Sequence, residues 1–168
     1  MSLSMYQASA PCFVRMLKNL SAILDKAEAH ADLKKIDHTV LTSDRLFPDM
    51  FALARQVQVA ADSAKGAMAR LAGVEIPKFE DNEQTFGELR ARIAKTVAYV
   101  ETFKPGQIDG TEDKDIVIKA GGKEMKFKGI DFLLGFAYPN FYFHVTTAYN
   151  LLRHRGVEIG KWDFLGKA

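Results

Sequence analysis

Pro139-Asn140-Phe141-Tyr142-Phe143-His144-Val145-Thr146-Thr147-Ala148-Tyr149-Asn150-Leu151-Leu152-Arg153-His154-Arg155-Gly156 carries the clearest signature of a long helix in the chain. It is too long for a typical strand, opens on proline and closes on glycine, the usual asymmetry of a helix. Arg153, His154 and Arg155 fall in the last turn, where positive charge is favoured by the helix dipole. A polar strip of Tyr142, His144, Thr146, Thr147, Tyr149 and Asn150 runs through its apolar residues. Buried polar groups must be paired, so the strip reads either as a hydrogen-bonded network fixing helix packing or as the wall of a small-molecule pocket between helices.

Three further long helices are predicted upstream. Phe13, Met16, Leu17, Leu20, Ile23, Leu24 and Ala27 recur at steps of three and four, an apolar stripe. Pro11 suits the start of that helix; a helix beginning at Ser4 would have to accommodate a kink there. The helix fades near Leu33, and Lys34 to Phe47 form a connector without clear period. The second helix is expected from Pro48 or Asp49 to the cap at Gly73. Its inner stripe is Met50, Leu53, Val57, Ala61, Ala64, Met68 and Leu71, and its many small residues allow close helix approach. Thr85-Phe86-Gly87-Glu88 is a capping-box signal for the third helix, which Phe86, Leu89, Ile93, Val97, Val100 and Phe103 extend until Lys104-Pro105-Gly106 stops it.

Asp115 to Gly129 breaks the helical rhythm. Ile116-Val117-Ile118 and Met125-Lys126-Phe127 read as two short strands joined at Gly121-Gly122, a β-hairpin. Ile130 to Tyr138 reads as a short helical turn. Trp162, Phe164 and Leu165 in the tail are expected to fold back onto the helices. The predicted fold is thus mainly α, one domain over residues 1–168: a four-helix bundle with a β-hairpin inserted before the last helix. The connector lengths leave room for a crossover topology.

Composition narrows the function. Twenty-three Lys and Arg against 21 Asp and Glu give a net charge of +2, no electrostatic case for nucleic acid. The lysines around the hairpin are largely neutralised by Glu112, Asp113, Asp115 and Glu124, so no nucleic-acid partner is expected. No apolar run is long enough for a membrane span, and Met1 to Gln7 lacks the basic start and apolar core of a signal peptide. The cytoplasm is the expected compartment. The single cysteine, Cys12, reads as a small buried hydrophobe.

Local spacing does not build a metal site. A mononuclear zinc centre commonly takes three protein ligands. His144 has Thr147 and Ala148 at the helical partner positions, and His154 lies three turns away, ~15 Å along the axis. His30 and His38 stand in other segments. Gln56 and Gln58, beside Arg55 and Asp62 on the second helix, are the residues able to face the polar strip. The pocket candidates are therefore Gln56, Gln58, Tyr142, His144 and Tyr149, with His144 as the sole metal-ligand candidate.

Leu53-Ala54-Arg55-Gln56-Val57-Gln58-Val59-Ala60-Ala61-Asp62, the stretch Asn140 to Arg153, and the ending Gly160-Lys161-Trp162-Asp163-Phe164-Leu165-Gly166 resemble an uncharacterised bacterial family grouped with the DinB/YfiT-like metalloenzyme superfamily. The resemblance covers nearly the whole chain. It implies a four-helix bundle, often a homodimer. In metal-binding members one histidine on the second helix and an H-x-x-x-H pair on the last helix hold a divalent ion, zinc or nickel, and some members are thiol-dependent transferases or hydrolases. By position His144 resembles the first histidine of the pair, but the second slot is Ala148 and the second-helix slot falls at Gln56 or Gln58. The leading expectation is a non-catalytic, small-ligand-binding bundle with a degenerate metal site and no cofactor. The alternatives are a divalent-metal-dependent enzyme using His144 and a self-associating scaffold.

Overall fold

The computed structural model describes residues 3–120 and 122–166, with the side chain of Ala120 not described. Four long helices form the bundle: α1 (Met5–Lys34), α3 (Leu53–Ala72), α4 (Phe86–Glu101) and α7 (Tyr138–His154). Short helices α2 (His38–Thr42), α5 (Pro105–Ile108), α6 (Gly129–Phe132) and α8 (Lys161–Leu165) and one hairpin, β1 (Asp115–Ala120) with β2 (Lys123–Lys128), complete the described elements. α3 packs along both α4 and α7, and α1 packs along α4. α1 closes on α7 through Phe13, whose ring meets Phe141 at 5.0 Å and Tyr138 at 5.3 Å. The consecutive long helices α1 and α3 share little direct contact, so the bundle departs from strict up-and-down neighbours.

The predicted stripes form the core: Phe13, Leu17, Leu20 and Leu24 of α1, Leu53, Val57, Met68 and Leu71 of α3, Phe86 and Leu89 of α4, and Phe141 and Val145 of α7 are all buried. Helix ends follow local chemistry. Thr85 and Glu88 form the reciprocal capping box expected of α4. Gly73, at φ 72°, ends α3 in the left-handed conformation.

Four boundaries differ from the sequence reading. α1 begins at Met5, not near Pro11, because Ser4 and Gln7 form a capping box of their own. Pro11 then sits inside the helix and cannot donate to the Gln7 carbonyl; the Cys12 thiol lies 3.9 Å from that oxygen. Cys12 is consequently half-buried beside the backbone, not a core hydrophobe. α3 begins at Leu53 instead of Pro48 or Asp49, since Phe47 to Met50 close a turn and the Leu53 amide donates to Asp44 O at 2.9 Å. The Lys34–Phe47 connector contains α2, capped by Asp37.

The last helix starts earlier than Pro139. α6 runs through a π-helical turn, Leu133–Ala137, into α7. The Tyr138 amide donates to Leu133 O, and this wider turn takes up the register where Pro139 has no amide to offer Gly135 O. Finally, Trp162 does not fold back: it is 79% exposed. Only Phe164 of that segment packs well, its ring 5.9 Å from Tyr149.

The hairpin pairs antiparallel, Asp115 with Lys128 through Ala120 with Lys123. Of its two turn glycines, Gly122 has φ 75° and Gly121 lies outside the described residues. Ile116 and Ile118 face the bundle and Val117 faces out, the period-two pattern of a strand. Phe127 anchors the hairpin against Phe132 and Phe136, 6.2 and 5.5 Å away. Among the described residues no helix is long and apolar enough to cross a membrane.

Candidate functional site

His144 sits on the face of α7 that packs against α3, and Gln56 meets it from the first turn of α3. Both are buried, Gln56 to 1% exposure and His144 to 7%. His144 Nδ1 lies 2.7 Å from Gln56 Oε1. The other end of the amide fixes which way it points: Gln56 Nε2 donates to the Phe51 carbonyl at 3.0 Å. Oε1 is therefore the atom offered to the imidazole, Nδ1 carries the hydrogen, and Nε2 is left with its lone pair free.

Burial, and then the positive charge of Arg55, push the His144 pKa below its ordinary value, so the neutral ring is the stable form. The imidazole stacks near Phe51, 6.3 Å between centroids, and meets Phe143 edge-on at 5.2 Å. Those two phenylalanines are about half exposed, 48% and 56%. The result is a neutral hydrogen-bond acceptor held between two solvent-facing aromatic rings.

The remaining predicted residues lie elsewhere. Gln58 is buried but donates to Glu83 Oε2 at 3.0 Å and accepts from Arg55 at 3.3 Å. It lines a separate cleft of about 300 Å³ with Thr39, Thr42 and Ala52. Tyr142 packs beside Phe141 and Tyr138; burial first and then Cys12 raise its pKa, against the opposing pull of Arg15. Tyr149 packs on Phe164 near the tail. Thr147 is buried and returns its hydroxyl to the Phe143 carbonyl at 2.6 Å, whereas Thr146 and Asn150 face solvent. Of the five candidates the fold brings together two, Gln56 and His144. Ala148, one turn beyond His144, is fully buried and offers no donor atom. Among the described residues no group of three or more His, Cys, Asp or Glu side chains gathers to hold an ion.

A second polar centre has no counterpart in the sequence reading. The Arg92 side chain on α4 is 1% exposed and sits among Asp62, Asp81 and Glu83, at 3.0, 2.8 and 3.0 Å. Burial works against its charge, but the hydrogen bond to Glu83 and the three carboxylates outweigh it and hold its pKa above the ordinary value. Lys65 joins through Asp62 at 2.7 Å, and Arg55 pairs with Asp81. Phe79 lies between the ammonium groups of Lys65 and Lys95, 4.0 and 4.1 Å from its ring centre. The cluster pins the segment between α3 and α4 across both helices. A signal for it exists: Arg92 interrupts the apolar stripe of α4, between Leu89 and Ile93, with the acidic run Glu80-Asp81-Asn82-Glu83 just upstream.

The mainly helical bundle with its small antiparallel hairpin is of the DinB-like class. Within it, the chain belongs to the family described as Domain of unknown function (DUF1993), whose model matches residues 5–165. The crystal structure of a DinB family member protein from Shewanella denitrificans is 47% identical, covers 97% of this chain and 92% of its own, and superposes with a TM-score of 0.87. No curated protein matches the chain.

Proposed function

We propose that this protein is a non-catalytic, small-ligand-binding DinB-like bundle in which the position used for metal elsewhere in the superfamily serves as a hydrogen-bond acceptor. The observation that carries this reading is the 2.7 Å contact between His144 Nδ1 and Gln56. It occupies one ring nitrogen with an amide and leaves Nε2 as a lone acceptor between Phe51 and Phe143. The fitting ligand is a neutral molecule with an O–H or N–H donor on a flat apolar body, since the donor satisfies Nε2 while the body lies against the rings. One imidazole lone pair is too few donors for a structural or catalytic zinc site, and the nearest helical neighbour is Ala148.

Phenol is a suitable probe, with toluene as the isostere lacking the donor. Phenol should raise the melting temperature of the wild type and toluene should not. His144→Phe, which keeps the bulk of the ring, should abolish the response. A variant with lowered melting temperature but an unchanged phenol response would make the pair purely structural and sink the proposal. Elemental analysis of untagged protein tests the enzyme alternative: near-stoichiometric zinc, nickel or manganese would transfer His144 to metal chemistry.

The homodimer implied by the family resemblance has a natural surface in the same region. Phe51 and Phe143 flank His144 and are both about half exposed, and a contiguous apolar patch is what marks a contact site. If this surface is the interface, Phe143→Glu should convert a dimer to a monomer by light scattering.

A further inference from the structure

Among the described residues the buried and half-buried cations are met by carboxylates or, for Lys114, by the Leu71 carbonyl at 2.8 Å, with Arg70 left over. Arg92 has Glu83, Asp81 and Asp62; Lys65 has Asp62; Arg90, partly buried, has Asp25 and Glu28 at 3.1 and 2.6 Å. Arg70, near the C-terminal end of α3, is half-buried, and burial alone acts on it, pushing its pKa down. No carboxylate or hydrogen bond among the described residues offsets that. An incompletely solvated guanidinium without a counter-charge is a costly placement, and the fold makes deliberate room for it. A Cβ added at Gly66, one turn back on the same helix, would stand 2.5 Å from Arg70 Nη1. A mid-helix glycine costs about 1 kcal/mol against alanine, and here it lets the guanidinium rest on bare backbone.

Arg70 borders two clefts that also share Asp62. One, of about 180 Å³, is walled by Phe132, Phe136 and Ala137 of the π-turn region, with Ser63 and Asn140 at its polar side. The other, of about 320 Å³, runs past Ile76, Lys78 and Phe79. Asp62 does not spoil the site for an anion, because Lys65 and Arg92 already neutralise it.

We propose that Arg70 binds the carboxylate of a small organic acid whose apolar body lies against Phe132 and Phe136. The planar guanidinium fork matches a carboxylate bidentately. A single unpaired cation balances a single negative charge, whereas a phosphate would call for more donors than this cleft presents: the Ser63 hydroxyl already donates to Val59 O at 2.8 Å. The site is separate from the His144 pair, and the two stand or fall independently.

Benzoate is the probe, titrated against the full chain and followed by melting temperature and by the Arg70 Nε–H resonance in a nitrogen-15 spectrum. Benzoate should raise the melting temperature and move that resonance. Acetate, lacking the apolar body, should do so weakly, and inorganic phosphate should do neither. Arg70→Met should lose the response. Gly66→Ala should fold at least as well as the wild type yet bind benzoate about tenfold more weakly, the usual scale for a displaced charge-assisted hydrogen bond. His144→Phe should bind benzoate normally, which separates a failure here from a failure of the phenol site. Absence of any benzoate response, its persistence in Arg70→Met, unweakened benzoate binding in Gly66→Ala, or responses to acetate or phosphate equal to that of benzoate would each overturn the proposal.

Discussion

α3 buries polarity at two places and resolves it in opposite ways. Near its start, Gln56 and His144 share one hydrogen bond between neutral groups. Two turns further on, Asp62 and Lys65 join Arg92, Asp81 and Glu83 in a cluster of full charges. Burying a neutral dipole is inexpensive once it is paired, whereas a buried ion is tolerable only inside a network. The ion cluster therefore commits its groups to one another and acts as a clasp. The neutral pair leaves one ring nitrogen without a partner among the described residues.

Breaking the clasp should have the largest effect. Arg92→Met keeps much of the side-chain volume but leaves Asp62, Asp81 and Glu83 without their shared cation. Removal of one partner from a buried ion pair costs about 3–5 kcal/mol, and chemical denaturation should show a loss of that order. The segment 78–83 should also become accessible to protease first, since the Arg92 guanidinium donates to Glu80 O at 2.8 Å as well as to Glu83. A loss below about 1 kcal/mol, the range of exposed pairs, would show that the cluster is solvated and that the contrast between the two regions is false.

The neutral pair should give a middle-sized effect. Gln56→Leu strands the His144 Nδ1 hydrogen and leaves Phe51 O without its donor. Orphaning buried polar groups costs about 1–3 kcal/mol. His144→Phe strands the Gln56 amide oxygen by similar reasoning. Because both changes remove the same bond, the double variant should be less destabilised than the sum of the two singles, and the cycle measures their coupling. Additive losses would mean the contact contributes nothing.

The difference between the regions also explains what was legible in the sequence. The bundle is written in local repeats: the stripe from Phe13 to Ala27, the Thr85–Glu88 box and the alternation of Ile116 and Ile118 each need only neighbours a few residues away. Ser4-x-x-Gln7 belongs to the same local code, and its capping box accounts for the early start of α1. The π-turn before Pro139 is less legible, because a wider turn competes closely with a simple helix start at proline. The site is least legible. Gln56 and His144 are 88 positions apart, and only the packing of α3 on α7 makes them partners. Helical periodicity marks His144 as buried without naming what it meets, and it gives no means of separating Tyr142 and Tyr149 from the pair. Arg70 shows the same limit, since its distinction is a missing partner.

Acidification should produce the smallest effect and the most specific one. The folded His144 ring has a pKa below that of the unfolded chain, near 6.5, because burial and Arg55 disfavour its charge. Between the two values the unfolded state binds more protons, so folding stability falls as protons are added. Its contribution is complete above pH 6.5, declines as the pH drops below that value, and levels off beneath the folded pKa. The slope from one such group cannot exceed about 1.4 kcal/mol per pH unit. Over this window the wild type should lose stability relative to His144→Phe, and the two curves should run parallel above pH 7. A His144→Phe curve with the wild-type slope would assign the pH dependence to other groups. It would also remove the reason for treating this end of α3 as a neutral acceptor distinct from the charged cluster.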